Sequence, residues 1–317
     1  MGDIEMKILI FGAGSFGLSY KTYLENYEEE HVLVGFLDNS SQNRLIKNKQ
    51  GTYVPVYKPE QISDIEYDLI VISPIEQSVV LEMKSQLLSL GVPEQNILVL
   101  FHERELAIKV LAKCSIYDEN EDPRVVWLRN YSILVNENLL NGNVAECGVN
   151  RGDFAYYINK YFPNKTLYLF DTFEGFDSKD LETERSLNNQ AFIQGMFNKE
   201  HFFSNVHNIK KEEVALKKML FPEKCLIKKG YFPNTAEGIN DTFVFVNLDM
   251  DLYQPMLAGL RFFYERMCVG GVLLLHDYFH PELPGVKQAV QQFEQEYKQP
   301  LCKIPIGDFC SIAIIKH

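Results

Sequence analysis

Asp249 and Asp251, in VNLDMDLY, and His276 and Asp277, in LLLHDY, each follow an apolar run suited to a buried strand. In an open α/β sheet ligands gather at the carboxyl ends of the strands, so two such strands bring these groups toward one crevice. Carboxylates gathered beside an imidazole are costly unless they are neutralised, and a divalent cation does that. An oxygen-rich set favours Mg²⁺, with Mn²⁺ or Ca²⁺ as alternatives. Two of the residues have plainer uses. Asp251 could cap a helix starting at LYQPMLAGL, and His276 could orient a neighbour by hydrogen bonding.

Upstream, Glu146-Cys147-Gly148-Val149-Asn150-Arg151-Gly152 joins a strand to a helix. This E-x-G-x-x-x-G turn lacks the dinucleotide spacing and suits S-adenosylmethionine. Its backbone can approach the ligand over Gly148 while Glu146 meets the ammonium group. Asp171, followed by Thr172, ends the next apolar run and is placed to accept two ribose hydroxyls. The plain alternative is a structural tight turn.

A third constellation lies near the N-terminus. Gly12, Gly14 and Gly17 form G-x-G-x-x-G between a strand and a helix, and Asp38 ends the next strand. The chemistry this serves is dinucleotide binding, with phosphate at the helix N-terminus and ribose on Asp38. No catalytic His, Lys or Tyr set follows before the chain changes character. A nucleotide or nucleotide-sugar therefore fits the turn as well as a nicotinamide cofactor, and a purely architectural role fits too.

The elements that must position these groups come in two series. The first comprises KILIFG (7–12), VLVGFLD, YDLIVISP and NILVL (96–100), with helices after the first strand and over about 78–90. Residues 102 to about 140 read as helical, broken by the charged YDENEDP (117–123), the best domain boundary. The second series is NVAECG (143–148), TLYLFD (166–171), KCLIKKG (224–230), TFVFVNLD (242–249), GGVLLLHD (270–277) and SIAIIK (311–316). Strands alternating with helices imply parallel βαβ units. The expectation is α/β throughout: two doubly wound Rossmann-like domains, residues 1–112 and 113–317.

Composition narrows the partners. Thirty-one Lys and Arg against 43 Asp and Glu give a formal charge of -12, which repels phosphate backbones and anionic lipid. Nucleic acid and membrane partners are not expected. No window approaches the roughly 18–20 apolar residues of a spanning helix, and no basic leader precedes the first strand. The six cysteines are scattered without a CxxC pair and read as buried thiols of a cytoplasmic protein. Self-association into a homo-oligomer is also expected.

Taken together, AECGVNRGDFAYYI, LFDTFEGF, GYFPNT, VNLDMDLYQPML and GGVLLLHDYFHPELPGVKQAVQQF resemble the macrocin O-methyltransferase (TylF-type) family over about residues 125 to 317. The resemblance implies a class I methyltransferase fold and metal-assisted methyl transfer from S-adenosylmethionine to a sugar or glycan hydroxyl, in bacterial glycan or natural-product biosynthesis. It puts Glu146, Gly148 and Asp171 on cofactor positions and Asp249 and Asp277 on metal positions. The family usually has two adjacent acids where this chain has His276-Asp277. It also implies a histidine base in the loop before the third strand, where HFFSNVHNIKKEEV offers His201 and His207, with spacing favouring His201. Phe202, Phe203, Tyr231 and Phe232 could wall a sugar site or belong to the core. More weakly, GAGSFG, VGFLDNS and DLIVIS are similar to nucleotide-sugar-binding Rossmann-like units. An NAD-dependent oxidoreductase, a non-catalytic binding protein and a catechol-like acceptor are the competing readings.

Overall fold

The computed structural model describes residues 5–40, 45–114, 120–186 and 209–317. The chain divides into two compact units, the first running to Cys114 and also including Ile209.

In the first unit, β1 (Lys7–Phe11), β2 (Val32–Leu37), β5 (Val56–Tyr57), β6 (Leu69–Ile72) and β7 (Ile97–Val99) form one parallel sheet. Their order is β5-β2-β1-β6-β7. A hairpin of β3 (Ile46–Lys47) and β4 (Tyr53–Val54) and the short β5 were not legible as strands, being two residues each. Helices α1 (Ser15–Tyr27), α2 (Gln77–Ser89) and α3 (Arg104–Lys113) complete the unit. The central strands are apolar on both faces, as parallel strands covered by helices must be; Leu9, Ile10, Ile70 and Val71 are fully buried.

The glycine turn between β1 and α1 has the geometry its spacing implies. A Cβ on Gly17 would stand 2.0 Å from the Gly12 carbonyl oxygen, so the helix can lie this close to the strand only with glycine there. Gly17→Ala is expected to destabilise this unit by about 1–3 kcal/mol through overpacking, measured as a lower urea midpoint.

The second unit holds a seven-stranded sheet: β8 (Asn143–Cys147), β9 (Leu167–Asp171), β10 (Cys225–Lys229), β11 (Phe243–Leu248), β12 (Met267–Leu275), β13 (Cys302–Pro305) and β14 (Ile312–Ile315). The order is β10-β9-β8-β11-β12-β14-β13, and only β14 and β13 run antiparallel to the neighbours they pair with. Strand β13 was not read from the sequence. It lies at the sheet edge with all four residues exposed, so it carries no buried apolar run.

Helices cover both faces. Along β12 alternate residues go to opposite layers, Leu273 and Leu275 to one and Val272 and Leu274 to the other. The first layer is built on α8 (Tyr253–Phe263) and α9 (Pro284–Tyr297), the second on α4 (Pro123–Glu137) and α5 (Asp153–Tyr161). Helix α4 starts where YDENEDP ends, because the Asp122 carboxylate accepts the amides of Arg124 and Val125 and Pro123 takes the first turn. Helices α6 (Ser178–Ser186) and α7 (Lys211–Lys218) lie between β9 and β10 in sequence.

None of the six cysteines is in a disulfide, and two, Cys114 and Cys147, are buried. The expectation of six buried thiols is corrected at Cys302, which is exposed on the edge strand, and at Cys225, Cys268 and Cys310, which are half-buried.

Candidate active site

Pairing register assembles the site. Cys147 pairs with Phe170 and Leu248, and Leu248 with Leu275, so β9, β8, β11 and β12 end level with one another. The next hydrogen bonds continue the ladder: Gly148 donates to the Phe170 carbonyl (2.9 Å), Asp249 to Cys147 (2.8 Å) and His276 to Leu248 (3.0 Å). Asp171, Gly148, Asp249 and His276 therefore stand in a row across four adjacent strand ends. The strand order reverses between β8 and β11, and that switch point is where open α/β sheets take ligands.

Gly148 is pressed against the neighbouring strand. Its φ is +87°, and a Cβ there would lie 1.8 Å from the Asp249 carbonyl oxygen. The turn ends at Gly152, which precedes α5 in a left-handed conformation. A pocket opens beside it, lined by Gly148, Asp171, Thr172, Tyr231, Asp249 and Asp251 among others. Each oxygen of Asp171 accepts one backbone amide, from Asn150 (2.7 Å) and Phe173 (2.6 Å), which fixes the carboxylate's orientation. The Thr172 hydroxyl closes the turn on the Gly175 carbonyl (2.6 Å).

Glu146 is almost wholly buried. One of its oxygens accepts the Asn247 amide at 2.9 Å, and the other has no partner. Burial, with the Asp249 charge nearby, pushes its carboxyl well above the ordinary range. A buried carboxylate oxygen without a donor is suited to a cationic ligand group.

The acids of β11 and β12 do converge. One oxygen from each of Asp249, Asp251 and Asp277 lies within 4.8 Å of the other two. Arg124, buried at the start of α4 and stacked on Phe154 (4.2 Å), donates to Asp249 at 3.0 Å. The Nδ1 atom of His276 stands 3.1 Å from Asp249 and 2.9 Å from Asp277, but neither carboxylate lies along its N–H direction. Burial alone would raise the Asp249 carboxyl, yet His276 and Arg124 outweigh it and hold the group well below the ordinary range. Burial likewise opposes charge on His276, but Asp249 and Asp277 push its imidazole up to about 10. His276 acts on Asp251 as well, but burial together with the Asp249 and Asp277 charges outweighs it and raises the Asp251 carboxyl strongly. Three carboxylates at this separation, one of them pushed toward its protonated form by the charges of the other two, fit a divalent cation.

Asp251 and Asp277 adopt left-handed backbone, with φ of 60° and 59°. Such conformations cost of order 1–3 kcal/mol in a non-glycine residue and collect at functional sites. Asp251 does not cap the following helix. Its first free amide, on Tyr253, is taken at 3.0 Å by Glu184 from α6.

Other expectations divide. Phe232 does both, packing in the core against Phe263 and edge-on to Phe170 while lining the pocket beside Tyr231, which donates to the buried Asp180 at 3.0 Å. His201, His207, Phe202 and Phe203 lie outside the described residues. In the first unit, Asp38 accepts the Ala13 amide (2.8 Å) on one oxygen and the Ser40 amide (2.8 Å) on the other, so it ties down the glycine turn it was expected to serve. Around that turn a pocket is lined by Ala13, Gly14, Ser15 and Lys21, the last paired with Glu25.

Arg124 and Asp180 escaped the sequence reading. Neither sits in a motif, and their roles arise from partners 125 and 51 residues away.

The fold and the strand-end site define a class I, Rossmann-like methyltransferase dependent on S-adenosylmethionine. Residues 121–309 match the macrocin-O-methyltransferase (TylF) family, and the chain belongs to it; the protein is an O-methyltransferase. Residues 4–98 match the C2185-like N-terminal domain. Among solved structures, the O-methyltransferase NovP is similar at 21% identity and a TM-score of 0.51, over 67% of this chain and 97% of that one. The calicheamicin methyltransferase CalS11 matches at 20% identity and a TM-score of 0.47, over 67% and 90%. No curated protein matches the chain in sequence. No described helix is long and apolar enough to cross a membrane.

Proposed function

We propose that the protein methylates a sugar hydroxyl, using a divalent cation held by Asp249, Asp251 and Asp277. The observation that carries this reading is the convergence of those three carboxylates beside the pocket that adjoins Gly148 and Asp171. The five motifs shared with sugar O-methyltransferases support a sugar as acceptor.

When bound, S-adenosylmethionine would supply the sulfonium methyl, and a cation held by Asp249, Asp251 and Asp277 would supply Lewis-acid stabilisation of a developing alkoxide. The chain's own residues do the positioning. Glu146 offers its unpartnered oxygen to the ammonium group, and Asp171, locked by two amides, takes the ribose hydroxyls. Gly148 leaves the space in which the cofactor's amino-acid part can lie against the backbone. Arg124 and His276 keep Asp249 ionised, so it retains full charge at the point where an acceptor oxygen must lose its proton. Orienting two reactants in this way is worth several kcal/mol of the barrier.

Asp171→Ala is expected to weaken S-adenosylhomocysteine binding by about 10–100-fold, the value of one or two charge-assisted hydrogen bonds. Calorimetric titration measures this directly. Chelation of divalent ions should stop transfer of labelled methyl to nucleotide-linked sugars and leave the calorimetric affinity intact. Full turnover after chelation would remove the cation from the mechanism, and methylation of catechols but no sugar would overturn the acceptor class.

A further inference from the structure

Strand β14 runs antiparallel to β12, with Leu275 opposite Ile312. Carrying that register two residues beyond both strand ends places Asp277 opposite Cys310. The side chains do meet there, with Cys310 Sγ 3.1 Å from an Asp277 oxygen. The turn bearing Cys310 is well anchored: Asp308 accepts the amides of Cys310 (3.1 Å) and Ser311 (2.7 Å), and the Phe279 amide donates to the Cys310 carbonyl (2.9 Å). One ligand atom from each of His276, Asp277 and Cys310 lies within 4.8 Å of the other two. The Nδ1 atom of His276 is buried, 2.9 Å from Asp277 and 3.1 Å from Asp249. This trio shares only Asp277 with the oxygen set of Asp249, Asp251 and Asp277.

We propose that His276, Asp277 and Cys310 form a second cation position, suited to a borderline divalent ion of the zinc class and adjoining the oxygen-only position. The inference rests on the proposed cation reading only through the shared Asp277. The donor chemistry separates the two positions. Imidazole, carboxylate and thiolate make a three-ligand set for Zn²⁺ or Co²⁺, with a fourth position open to water or substrate. Mg²⁺ demands near-octahedral oxygen ligation and gains little from sulfur. With bonds of about 2.0–2.3 Å, tetrahedral ligand atoms stand roughly 3.3–3.8 Å apart, so small side-chain rotations close this trio around an ion. Binding releases the thiol proton of Cys310 and the imidazole proton of His276 to solvent, because both must ligate in their deprotonated forms.

The test uses the full-length protein in a Cys302→Ser background, which removes the exposed thiol as a competing ligand. Cobalt(II) is titrated in saturating Mg²⁺ and followed by absorption. One equivalent is expected to give a thiolate-to-cobalt charge-transfer band together with the visible bands of a four-coordinate ion. Cys310→Ser should abolish the charge-transfer band and weaken Co²⁺ and Zn²⁺ binding at least about tenfold. Asp251→Asn should leave the cobalt spectrum in place while raising the Mg²⁺ concentration that methyl transfer requires. Absence of the band in the Cys302→Ser protein, its survival in Cys310→Ser, or displacement of cobalt by Mg²⁺ would each overturn the proposal. A cobalt spectrum that persists when methyl transfer proves independent of Mg²⁺ would uphold the second position and refute the oxygen-site reading alone.

Discussion

Asp249→Asn is expected to lower kcat by on the order of 10³-fold or more while leaving S-adenosylhomocysteine binding within a few fold. The side chain keeps its size and can still accept from Arg124, so the loss isolates the charge. That charge matters for two physical reasons. Asp249 is the acid shared by Arg124, His276 and the carboxylate cluster, and both cations hold it ionised despite burial. Removing it also takes away the charge of the carboxylate to which the buried Arg124 donates, which costs roughly 3–5 kcal/mol when a buried pair is broken outright and less when an amide remains to accept. Steady-state kinetics, calorimetry and thermal unfolding on the same preparation separate the effects. A variant that turns over at the wild-type rate would remove Asp249 from the chemistry.

The second large effect is expected at Gly148. Gly148→Ala should lower kcat/KM by at least about 100-fold and reduce stability together, since a displacement near 1 Å at a reacting site can cost that much. The new methyl group would lie 1.8 Å from the Asp249 carbonyl oxygen and 2.6 Å from its carbon. Those are backbone atoms of the β11 end, so the clash cannot be relieved by rotating a side chain. Either the turn after β8 moves away from the ligand or Asp249 moves with its strand. The left-handed φ adds about 1–2 kcal/mol for a residue with a Cβ. Asp171→Ala frees the Asn150 and Phe173 amides but introduces no clash, so it should cost less stability than Gly148→Ala and act mainly on cofactor affinity.

Much of this is legible in the sequence. The runs VFVNL and GVLLL are apolar because their strands are buried on both faces, and the acids after them stand at carboxyl ends by the same logic. Glu146, Gly148 and Asp171 were placed by a strand-turn-helix pattern that needs no long-range information. The sequence could not show that Asp251 leaves the cap of α8 to Glu184, because Glu184 comes from a helix 69 residues away. Nor could it show Arg124 beneath Asp249, or Cys310 beside Asp277. The run SIAIIK announced a strand, but not that it would lie antiparallel next to β12.

Taken alone, the sequence determined which segments become strands and helices, where the chain turns on glycine, and which acids end the strands. These are consequences of local hydrophobic period and backbone sterics. Only the tertiary structure decided which strand ends stand level, which cations neutralise which acids, and which thiol faces the cluster. Those depend on pairing register and strand direction between segments far apart in the chain, and a shift of one residue in register would turn each of these side chains to the other face.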